Sequence, residues 1–542
     1  MSHNFRISGK RLFNFAVIAD THITEEEATA IGGYDLDTVA LSTQRSAYVI
    51  DKLNNLKPDF VIHLGDITHP EPGTPAYEKS AARFHSVYSK LISPLRLVPG
   101  NHDGGEKAFA GQSLPGQQAQ MMVNNEMIAE YESHFQPHYY SFEHRQCLLV
   151  VINGLIINSG LAAEDSQRDC LETLLDQNQG RRIFLFSHYP TYLSHPDESE
   201  HYDATDEPGR SWLLNTLAHY KVEAFYSGHV HNFFFNIHGH TRCYVLPSTC
   251  FLRHDYHELF RAEPGMKQGR HDSAKLGFAL VEVYDQAHLT HIIRTYGNAR
   301  NQSQPAENPD SLQRIQESPV HALGLTSPRV GIHLRLPWCE YADIPTPWGL
   351  DPFHRKNVRN DYPLLALWEM GVRDLRVPLD DLINPETRSR MLTLTSIGHR
   401  FTVYSHGIPK GLALRSLVEH QHLISAWEIV FPITSIIELF EEIEEIKGSI
   451  PVYFNAMRWT DETFSNSHGL TADDAGTIQS LLQLDSVNAL INGVVFGINY
   501  ADCPFSTVSS IYDNLSNQTL KIIISIFAEV NLMYTFLIRN FF

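Results

Sequence analysis

Eight histidine, aspartate and asparagine side chains follow short apolar runs in the first half of the chain. They are Asp20, His22, Asp66, Asn101, His102, His188, His229 and His231. Imidazole and carboxylate groups together are ligands of zinc, manganese and iron. A closed tetrahedral site needs only four ligands, so this set is too large for one structural ion. Two metal ions about 3.5–4 Å apart that share a bridging carboxylate would use the whole set.

The apolar runs before these side chains have the composition of buried β-strands, being short and rich in β-branched and aromatic residues. They read FNFAVIAD from Phe13, DFVIHLGD from Asp59, LRLVPGNHD from Leu95, RIFLFSHYP from Arg182 and VEAFYSGHVH from Val222. Helix-like segments lie between several of them, such as residues 38–56 and 76–92. Five polar clusters converge only if the strands share one edge of a sheet. The sequence therefore predicts an α/β layered fold with its site at that edge.

Composition restricts the class of protein. The chain has 542 residues and a formal net charge of −20, which favours two domains and argues against binding to duplex nucleic acid. Six cysteines are dispersed without a C-x-x-C pair, which is typical of a reducing compartment. The first residues lack the apolar segment of a signal peptide, and no stretch is a clean membrane span. We therefore expect a cytoplasmic protein with no membrane partner.

Residues 298–319 are rich in Asn, Gln, Ser and Pro and are interpreted as a linker between domains at 1–297 and 320–542. In the second domain, candidate strands begin at Val330, Asp374, Arg400, Trp427, Pro451 and Gly493, with a weaker candidate at Lys521. Repeated β-then-α units predict a β/α barrel-like domain of the TIM-barrel type. Because fewer than eight strands are evident, an incomplete barrel is one alternative. Polar residues fall at or near strand ends, where we favour rim residues over catalytic ones: His406, Glu428, Asn455 and Asn499.

The ordered set D-x-H, G-D, G-N-H-D, S-H and G-H-x-H resembles the calcineurin-like metallophosphoesterase superfamily from about Phe13 to Gly297. The IADTHI and GDIT blocks are most similar to its cyclic-nucleotide-phosphodiesterase-like branch. The resemblance implies a layered β-sandwich flanked by helices. It also implies two divalent or trivalent transition metal ions, with manganese, iron and zinc as the candidates.

The resemblance implies a role for each matching residue. Asp20, His22 and His231 would bind one metal, Asn101, His188 and His229 the other, and Asp66 would bridge them. His102 would face the substrate, stabilise charge on the phosphoryl oxygens and protonate the leaving oxygen. Asp103 would orient His102 through a carboxylate–imidazole hydrogen bond. His69 is a further candidate for substrate contact, although a structural role is favoured.

These roles predict an enzyme that hydrolyses a small soluble phosphodiester through a metal-bridging hydroxide. One alternative is a phosphomonoesterase acting on nucleotides or sugar phosphates. Another is a ligand-binding protein in which the barrel domain dominates, and a further one is catalysis by the barrel itself, suggested by Glu428. The long polar segment between His188 and Trp212 is either a lid or specificity loop or an ordinary surface excursion.

Overall fold

The computed structural model describes residues 10–25, 39–108, 121–259, 275–295, 331–334, 337–345, 355–432, 439–459, 466–499, 502–515 and 521–527. The predicted linker at 298–319 lies outside these residues. The chain divides into two compact units. The sandwich unit comprises Arg6–Ala322 and Trp338–Gly371, and the parallel-sheet unit comprises Met1–Phe5, Leu323–Pro337 and Val372–Phe542.

Two sheets form the layers of the sandwich unit. The first has the strand order β11-β10-β1-β2-β3, with strands β1 (Arg11–Ile18), β2 (Val61–His63), β3 (Leu95–Leu97), β10 (Gly277–Tyr284) and β11 (His288–Arg294). The second has the order β4-β5-β6-β7-β9-β8, with β4 (Tyr140–His144), β5 (Cys147–Val151), β6 (Arg182–Phe186), β7 (Ala224–Ser227), β8 (Phe234–His238) and β9 (Thr241–Val245). Strands β1, β2 and β3 run parallel to one another, as do β5, β6 and β7. Polar residues that follow parallel strands therefore collect at one edge of each sheet.

Aromatic side chains fill the space between the two sheets. Phe15 of β1 is fully buried, and its ring makes edge contacts with Phe184 and Phe186 of β6 at centroid distances of 5.7 and 6.0 Å. Such buried aromatic pairs are stabilised by their geometry beyond the area that they remove from water. The predicted layered β-sandwich is therefore confirmed as the fold of this unit.

Helices cover the outer faces of both sheets, except the four-residue helix Asn101–Gly104, which lies at the sheet edge just after β3. In chain order they are α1 (Ser42–Leu56), α2 (Pro75–Tyr88), α3 (Asn101–Gly104), α4 (Asn125–His134), α5 (Ala162–Gln177), α6 (Gly209–His219) and α7 (Tyr362–Glu369). Val49 and Leu53 of α1 pack with Phe84 of α2 in one apolar cluster under the first sheet. Leu171 of α5 and Leu213 of α6 belong to the corresponding cluster of the second sheet.

The hairpin of β13 (Tyr341–Pro345) and β14 (Arg355–Arg359) belongs to the sandwich unit. This differs from the sequence-based boundaries, which put residues 338–371 in the second domain. The reason is a buried ionic contact: Lys356 Nζ lies 2.7 Å from Asp255 Oδ2 and also contacts Asp203. Arg253 bonds the same two carboxylates, at 2.7 Å each. A sequence pattern does not reveal such a pairing across about a hundred residues.

Replacing Lys356 with methionine should destabilise the sandwich unit. The side chain is 3% exposed and its two carboxylate partners are fully buried, so the variant leaves two buried charges to share Arg253. We expect the free energy of unfolding to fall by about 3–5 kcal/mol, measured by urea denaturation. Lys79, which is 59% exposed beside Glu25, gives the matched control Lys79→Met, with a change of less than about 0.5 kcal/mol. Equal stability of the two variants would contradict the structural role of Lys356.

The parallel-sheet unit has the strand order β12-β15-β16-β17-β18-β20-β21, and all of these pairs are parallel. The strands are β12 (Gly331–His333), β15 (Asp374–Pro378), β16 (Arg400–His406), β17 (Ile424–Phe431), β18 (Val452–Trp459), β20 (Gly493–Asn499) and β21 (Lys521–Phe527), and β19 (Asn466–His468) pairs antiparallel with β18. Helices α8 (Leu379–Ile383), α9 (Pro385–Ser396), α10 (Gly411–Glu419), α11 (Phe440–Lys447), α12 (Ala475–Leu482), α13 (Asp485–Leu490) and α14 (Pro504–Asn514) alternate with the strands. All seven predicted strands are present, and they form a curled half-barrel. Among the described strands, β12 and β21 pair on one side only, so a closed barrel is not seen.

No helix in the described ranges is long and apolar enough to cross a membrane.

Candidate metal centre

The strand ends of the sandwich unit bring the predicted metal ligands together. Asp20 and His22 follow β1, Asp66 follows β2, and Asn101 begins α3 just after β3. His188 follows β6 in the second sheet, and His229 and His231 follow β7. We call these seven residues the metal cluster. Each of them is at most 2% exposed to solvent.

Five residues of the metal cluster have left-handed backbone conformations. The φ angles are 55° at Asp20, 45° at His22, 52° at Asp66, 67° at His229 and 57° at His231. Non-glycine residues rarely adopt this region, and each such residue costs about 1–3 kcal/mol. Backbone strain of this kind gathers at functional sites because the surrounding structure holds side chains where the chemistry needs them.

A close backbone approach fixes the position of Asp66. A Cβ atom at Gly100 would lie 2.1 Å from the backbone nitrogen of Asp66 and 2.4 Å from its Oδ1. Only glycine can occupy this position, since no side chain fits there. The glycine of the G-N-H-D block therefore allows the loop after β3 to pass directly beside the carboxylate that follows β2.

The seven side chains form two groups that share Asp66. In the first group, His22 Nε2 lies 3.4 Å from Asp66 Oδ2 and 3.1 Å from His231 Nε2, and His231 Nε2 lies 3.6 Å from Asp20 Oδ1. In the second, His188 Nε2 lies 3.3 Å from Asp66 Oδ1 and 3.0 Å from Asn101 Oδ1, and His229 Nδ1 lies 3.0 Å from the same Asn101 oxygen. The two oxygens of one carboxylate thus face different groups of nitrogen ligands.

Backbone carbonyls determine which imidazole nitrogens carry lone pairs. His188 Nδ1 lies 2.8 Å from the carbonyl oxygen of Leu64, and His231 Nδ1 lies 2.8 Å from that of Phe251. A carbonyl can only accept, so both Nδ1 atoms must donate, and when the ring is neutral, as a metal ligand must be, Nε2 is left with a lone pair. These lone pairs face carboxylate, amide and imidazole acceptors at 3.0–3.6 Å. Such an arrangement fits two cations, which it would bind with neutral imidazoles and carboxylates.

The electrostatics of the metal cluster also fit added positive charge. The pKa of Asp20 is raised to about 8, chiefly by burial and also by the nearby Asp66, against the opposing effect of His188. Burial opposes ionisation of Asp66, but the imidazoles of His188 and His102 hold the pKa of this carboxyl well below its usual range. Asp20 Oδ2 is buried without a hydrogen-bond partner among the described residues. A cation beside these carboxylates would favour the charged form of both.

Sequence comparison relates the region that contains the metal cluster to a known protein family. The model of the calcineurin-like phosphoesterase family matches residues 13–233. These residues belong to the calcineurin-like phosphoesterase family. The match includes all seven residues of the metal cluster, and the strands β10 and β11 beyond it complete the first sheet beside β1.

Curated relatives of the phosphoesterase region include two phosphatases. The serine/threonine-protein phosphatase CPPED1 of Mus musculus is 27% identical over 197 residues, which cover 35% of this chain and 58% of the relative. CPPED1 of Danio rerio is 27% identical over 232 residues, which cover 40% of this chain and 70% of the relative. The chain therefore spans less than two thirds of the length of the mouse relative. Among solved structures, the purple acid phosphatase PPD1 of Lupinus luteus aligns with 52% of this chain and 51% of its own, at 16% identity and a TM-score of 0.36.

The structure places His102 and His69 beside the metal cluster. The His102 ring lies 4.7 Å from that of His22, centroid to centroid, and its Nδ1 donates to the carbonyl oxygen of His69. His69 Nδ1 lies 3.2 Å from His22 Nδ1, and the ligand atoms of His22, His69 and His102 all lie within 4.8 Å of one another. His69 therefore lies next to the first group of ligands and fixes the His102 ring through its backbone.

Asp103 does not have the partner predicted for it. Its carboxylate accepts hydrogen bonds from the backbone N–H groups of Ile67, Thr68 and Gly100, at 2.9–3.1 Å. The predicted contact with His102 is corrected because the short helix α3 turns the Asp103 side chain back toward the loop after β2. Asp103 thus holds the two loops that carry Asp66 and Asn101 together, and the His69 carbonyl orients His102 instead.

Sequence reasoning missed the residues that orient Asn101. The Asn101 amide nitrogen donates to Glu106 Oε1 at 3.0 Å and to the Tyr202 hydroxyl at 3.2 Å, which turns Oδ1 toward His188 and His229. The Tyr202 ring also lies 4.8 Å from the His229 ring. Tyr202 belongs to the long polar segment between His188 and Trp212, so part of that segment supports the metal cluster. The only sequence signal for Glu106 is its place shortly after the G-N-H-D block.

Replacing Glu106 with alanine should weaken binding of one metal ion. Without the carboxylate acceptor, the Asn101 amide loses the contact that fixes its orientation. Changes in residues that support metal ligands typically cost 10–100-fold in affinity or activity, and we expect a loss of about that size. Equilibrium dialysis against Mn²⁺ measures it. Glu106→Gln keeps an acceptor and should largely restore affinity, and the exposed Glu126→Ala on α4 should have no effect; equal affinities in all variants would contradict the role of Glu106.

Proposed function

We propose that the sandwich unit is a dinuclear metal-dependent phosphoesterase that hydrolyses a small soluble phosphodiester. The observation that carries the proposal is the shared Asp66 carboxylate, whose two oxygens lie 3.4 and 3.3 Å from the imidazole nitrogens of His22 and His188. Two cations bound there would polarise the phosphoryl group, lower the pKa of a bound water molecule and offset the negative charge of the ester.

The side chains of this unit have separate tasks in the proposed reaction. Asp20, His22 and His231 hold one side of the site, and Asn101, His188 and His229 hold the other. His102 has its Nδ1 fixed by the carbonyl of His69, so we assign Nε2 to the phosphoryl oxygens and to the proton that the leaving oxygen takes up.

The charge around the metal cluster supports a diester over a monoester. A diester carries one negative charge, whereas a monoester carries up to two at neutral pH. Arg253, whose charge acts on Asp20, His229 and His231, is bound to the carboxylates of Asp203 and Asp255. These carboxylates neutralise the charge of Arg253, so Arg253 contributes little to the binding of a dianionic monoester. A phosphomonoesterase is the second candidate, because the relatives from Mus musculus and Danio rerio are named serine/threonine-protein phosphatases.

Hydrolysis of two chromogenic esters separates the candidates. The full chain is stripped of metals, reloaded with Mn²⁺ and assayed with bis-p-nitrophenyl phosphate and p-nitrophenyl phosphate. Metal-restored turnover with a higher kcat/KM for the diester supports the proposal. Turnover of the monoester alone would favour the phosphatase, and no turnover of either ester by protein with two bound ions would overturn both.

A further inference from the structure

The parallel-sheet unit carries a second polar cluster on one face of its sheet. Arg376 of β15, Tyr404 of β16, Glu428 of β17 and Asn455 of β18 lie on four adjacent strands. Residues next to them in sequence point to the opposite face and are apolar and buried, for example Val377, Val403 and Ile429. The four polar side chains therefore share the face that does not pack against these apolar residues.

A buried ion pair forms the centre of this cluster. Arg376 donates from Nε and Nη2 to the two carboxylate oxygens of Glu428, both at 2.7 Å, across the strand between them. The Arg376 guanidinium lies 4.0 Å from the ring centroid of Tyr404, and the amide nitrogen of Asn455 donates to Glu428 Oε1. The Glu428 side chain is 2% exposed, whereas that of Arg376 is 23% exposed. Solvent therefore reaches the guanidinium end of a pair whose carboxylate is buried.

The cluster includes a neutral imidazole and an unused acceptor. Arg376 Nη1 lies 3.0 Å from His333 Nε2, and because a guanidinium can only donate, His333 Nε2 must accept and its ring is neutral. Asn455 is buried, and its Oδ1 has no hydrogen-bond partner among the described residues. A buried acceptor without a partner is unfavourable, because it has lost its hydrogen bonds to water and gained none in return.

Stability does not account for this arrangement. Removing a carboxylate and a guanidinium from water is expensive, and apolar side chains of similar volume often stabilise a protein equally well or better. An unpartnered amide oxygen beside the pair adds to the cost. Arg376 is reachable from solvent, whereas Glu428 and Asn455 behind it are buried, and buried polar groups next to an accessible cation on a parallel sheet are the type of site where such sheets bind ligands.

The chemistry of the groups indicates which ligand fits. The charges of Arg376 and Glu428 cancel, and His333 is neutral, so the cluster itself carries no net charge, and the nearby Asp380 and Asp381, whose charges act on Tyr404, disfavour an anionic ligand. It offers an acceptor without a partner at Asn455 Oδ1, next to the Tyr404 hydroxyl and to Arg376, whose five N–H groups exceed the three that bond Glu428 and His333. Hydroxyl groups donate and accept at once and match such an alternating set. We propose that this face of the parallel-sheet unit binds a neutral polyhydroxylated small molecule of the monosaccharide class.

Saturation-transfer NMR on the full-length protein tests the proposal, with D-glucose, D-galactose and D-ribose as probes. We expect at least one of them to bind, and its Kd to rise at least tenfold in Glu428→Gln and in Asn455→Leu, two variants that preserve side-chain volume. Asp374→Asn is the matched control, because Asp374 forms a similar ion pair with Arg400 at the amino ends of β15 and β16, at 2.6 Å. Circular dichroism verifies that each variant is folded.

The outcomes separate this site from the metal cluster. Binding that survives in Asp66→Ala and Asp374→Asn but is lost in the Glu428 and Asn455 variants supports the proposal. The proposal is overturned if no probe binds the wild-type protein, if both variants bind normally, or if Asp66→Ala abolishes binding. Since the readout is binding rather than hydrolysis, failure here leaves the proposed phosphoesterase activity untouched.

Discussion

Replacing Asp66 with alanine should abolish metal binding and ester hydrolysis together. Its two oxygens lie 3.4 and 3.3 Å from imidazole nitrogens of the two ligand groups, so the variant removes a ligand from both sides at once. Bound metals contribute several kcal/mol of transition-state stabilisation, and each 1.4 kcal/mol corresponds to a tenfold change in rate. We therefore expect kcat/KM to fall by at least about 10³-fold.

Elemental analysis of the purified variant, beside its kinetics, tests this expectation. The wild-type protein should retain two ions per chain after gel filtration, and Asp66→Ala should retain fewer than one. Glu143→Gln is a suitable control, because Glu143 is an exposed carboxylate paired with Arg181 on the same unit. A variant that keeps both ions and loses less than tenfold in kcat/KM would show that Asp66 does not bridge them.

Replacing His102 with alanine should reduce turnover and leave the metal content intact. His102 has its Nδ1 bound to a backbone carbonyl and its ring beside His22, yet it is outside the set of seven ligands that share Asp66. Loss of a general acid typically costs 10²–10⁴-fold, and we expect kcat to fall within that range for a diester with a poor leaving group.

A series of methyl aryl phosphates distinguishes proton donation from charge stabilisation. If His102 protonates the leaving oxygen, the loss in His102→Ala should be small for p-nitrophenolate and grow as the leaving group becomes more basic. The exposed His219 at the end of α6 provides the control His219→Ala. A uniform loss across the series would assign His102 to charge stabilisation alone, and loss of a metal ion would make it a ligand.

The sequence was sufficient for the five strands that precede the metal cluster and for the seven parallel strands of the other unit. Polar residues directly after buried apolar runs must lie at a sheet edge, so the meeting of Asp20, Asp66 and His188 follows from local patterns. Such reasoning did not predict the hydrogen-bond partners of the Asp103 carboxylate. Its neighbour His102 suggested a pair, but a turn of helix directs Asp103 toward backbone N–H groups of another loop.

Contacts between distant segments were beyond the reach of sequence patterns. The pairing of Lys356 with Asp203 joins residues separated by 153 positions, and neither residue stands in a pattern that indicates the other. The same holds for Arg376 and Glu428: Glu428 was interpreted as a rim residue, and Arg376 was not singled out. Only the register of the parallel strands brings them to one face.

The interleaved order of the two units has a consequence for how the chain acquires its structure. The polypeptide begins the half-barrel with β12, returns to the sandwich with β13 and β14, and only then continues the half-barrel from β15. A ribosome therefore releases Lys356 well after the last strand of the sandwich sheets, and until then Asp203 and Asp255 lack one of the two cations, Lys356 and Arg253, that bond them in the folded unit. Domains usually fold in turn from the N-terminus, but here the first unit is completed by a segment from within the second. No single cleavage point yields both units whole.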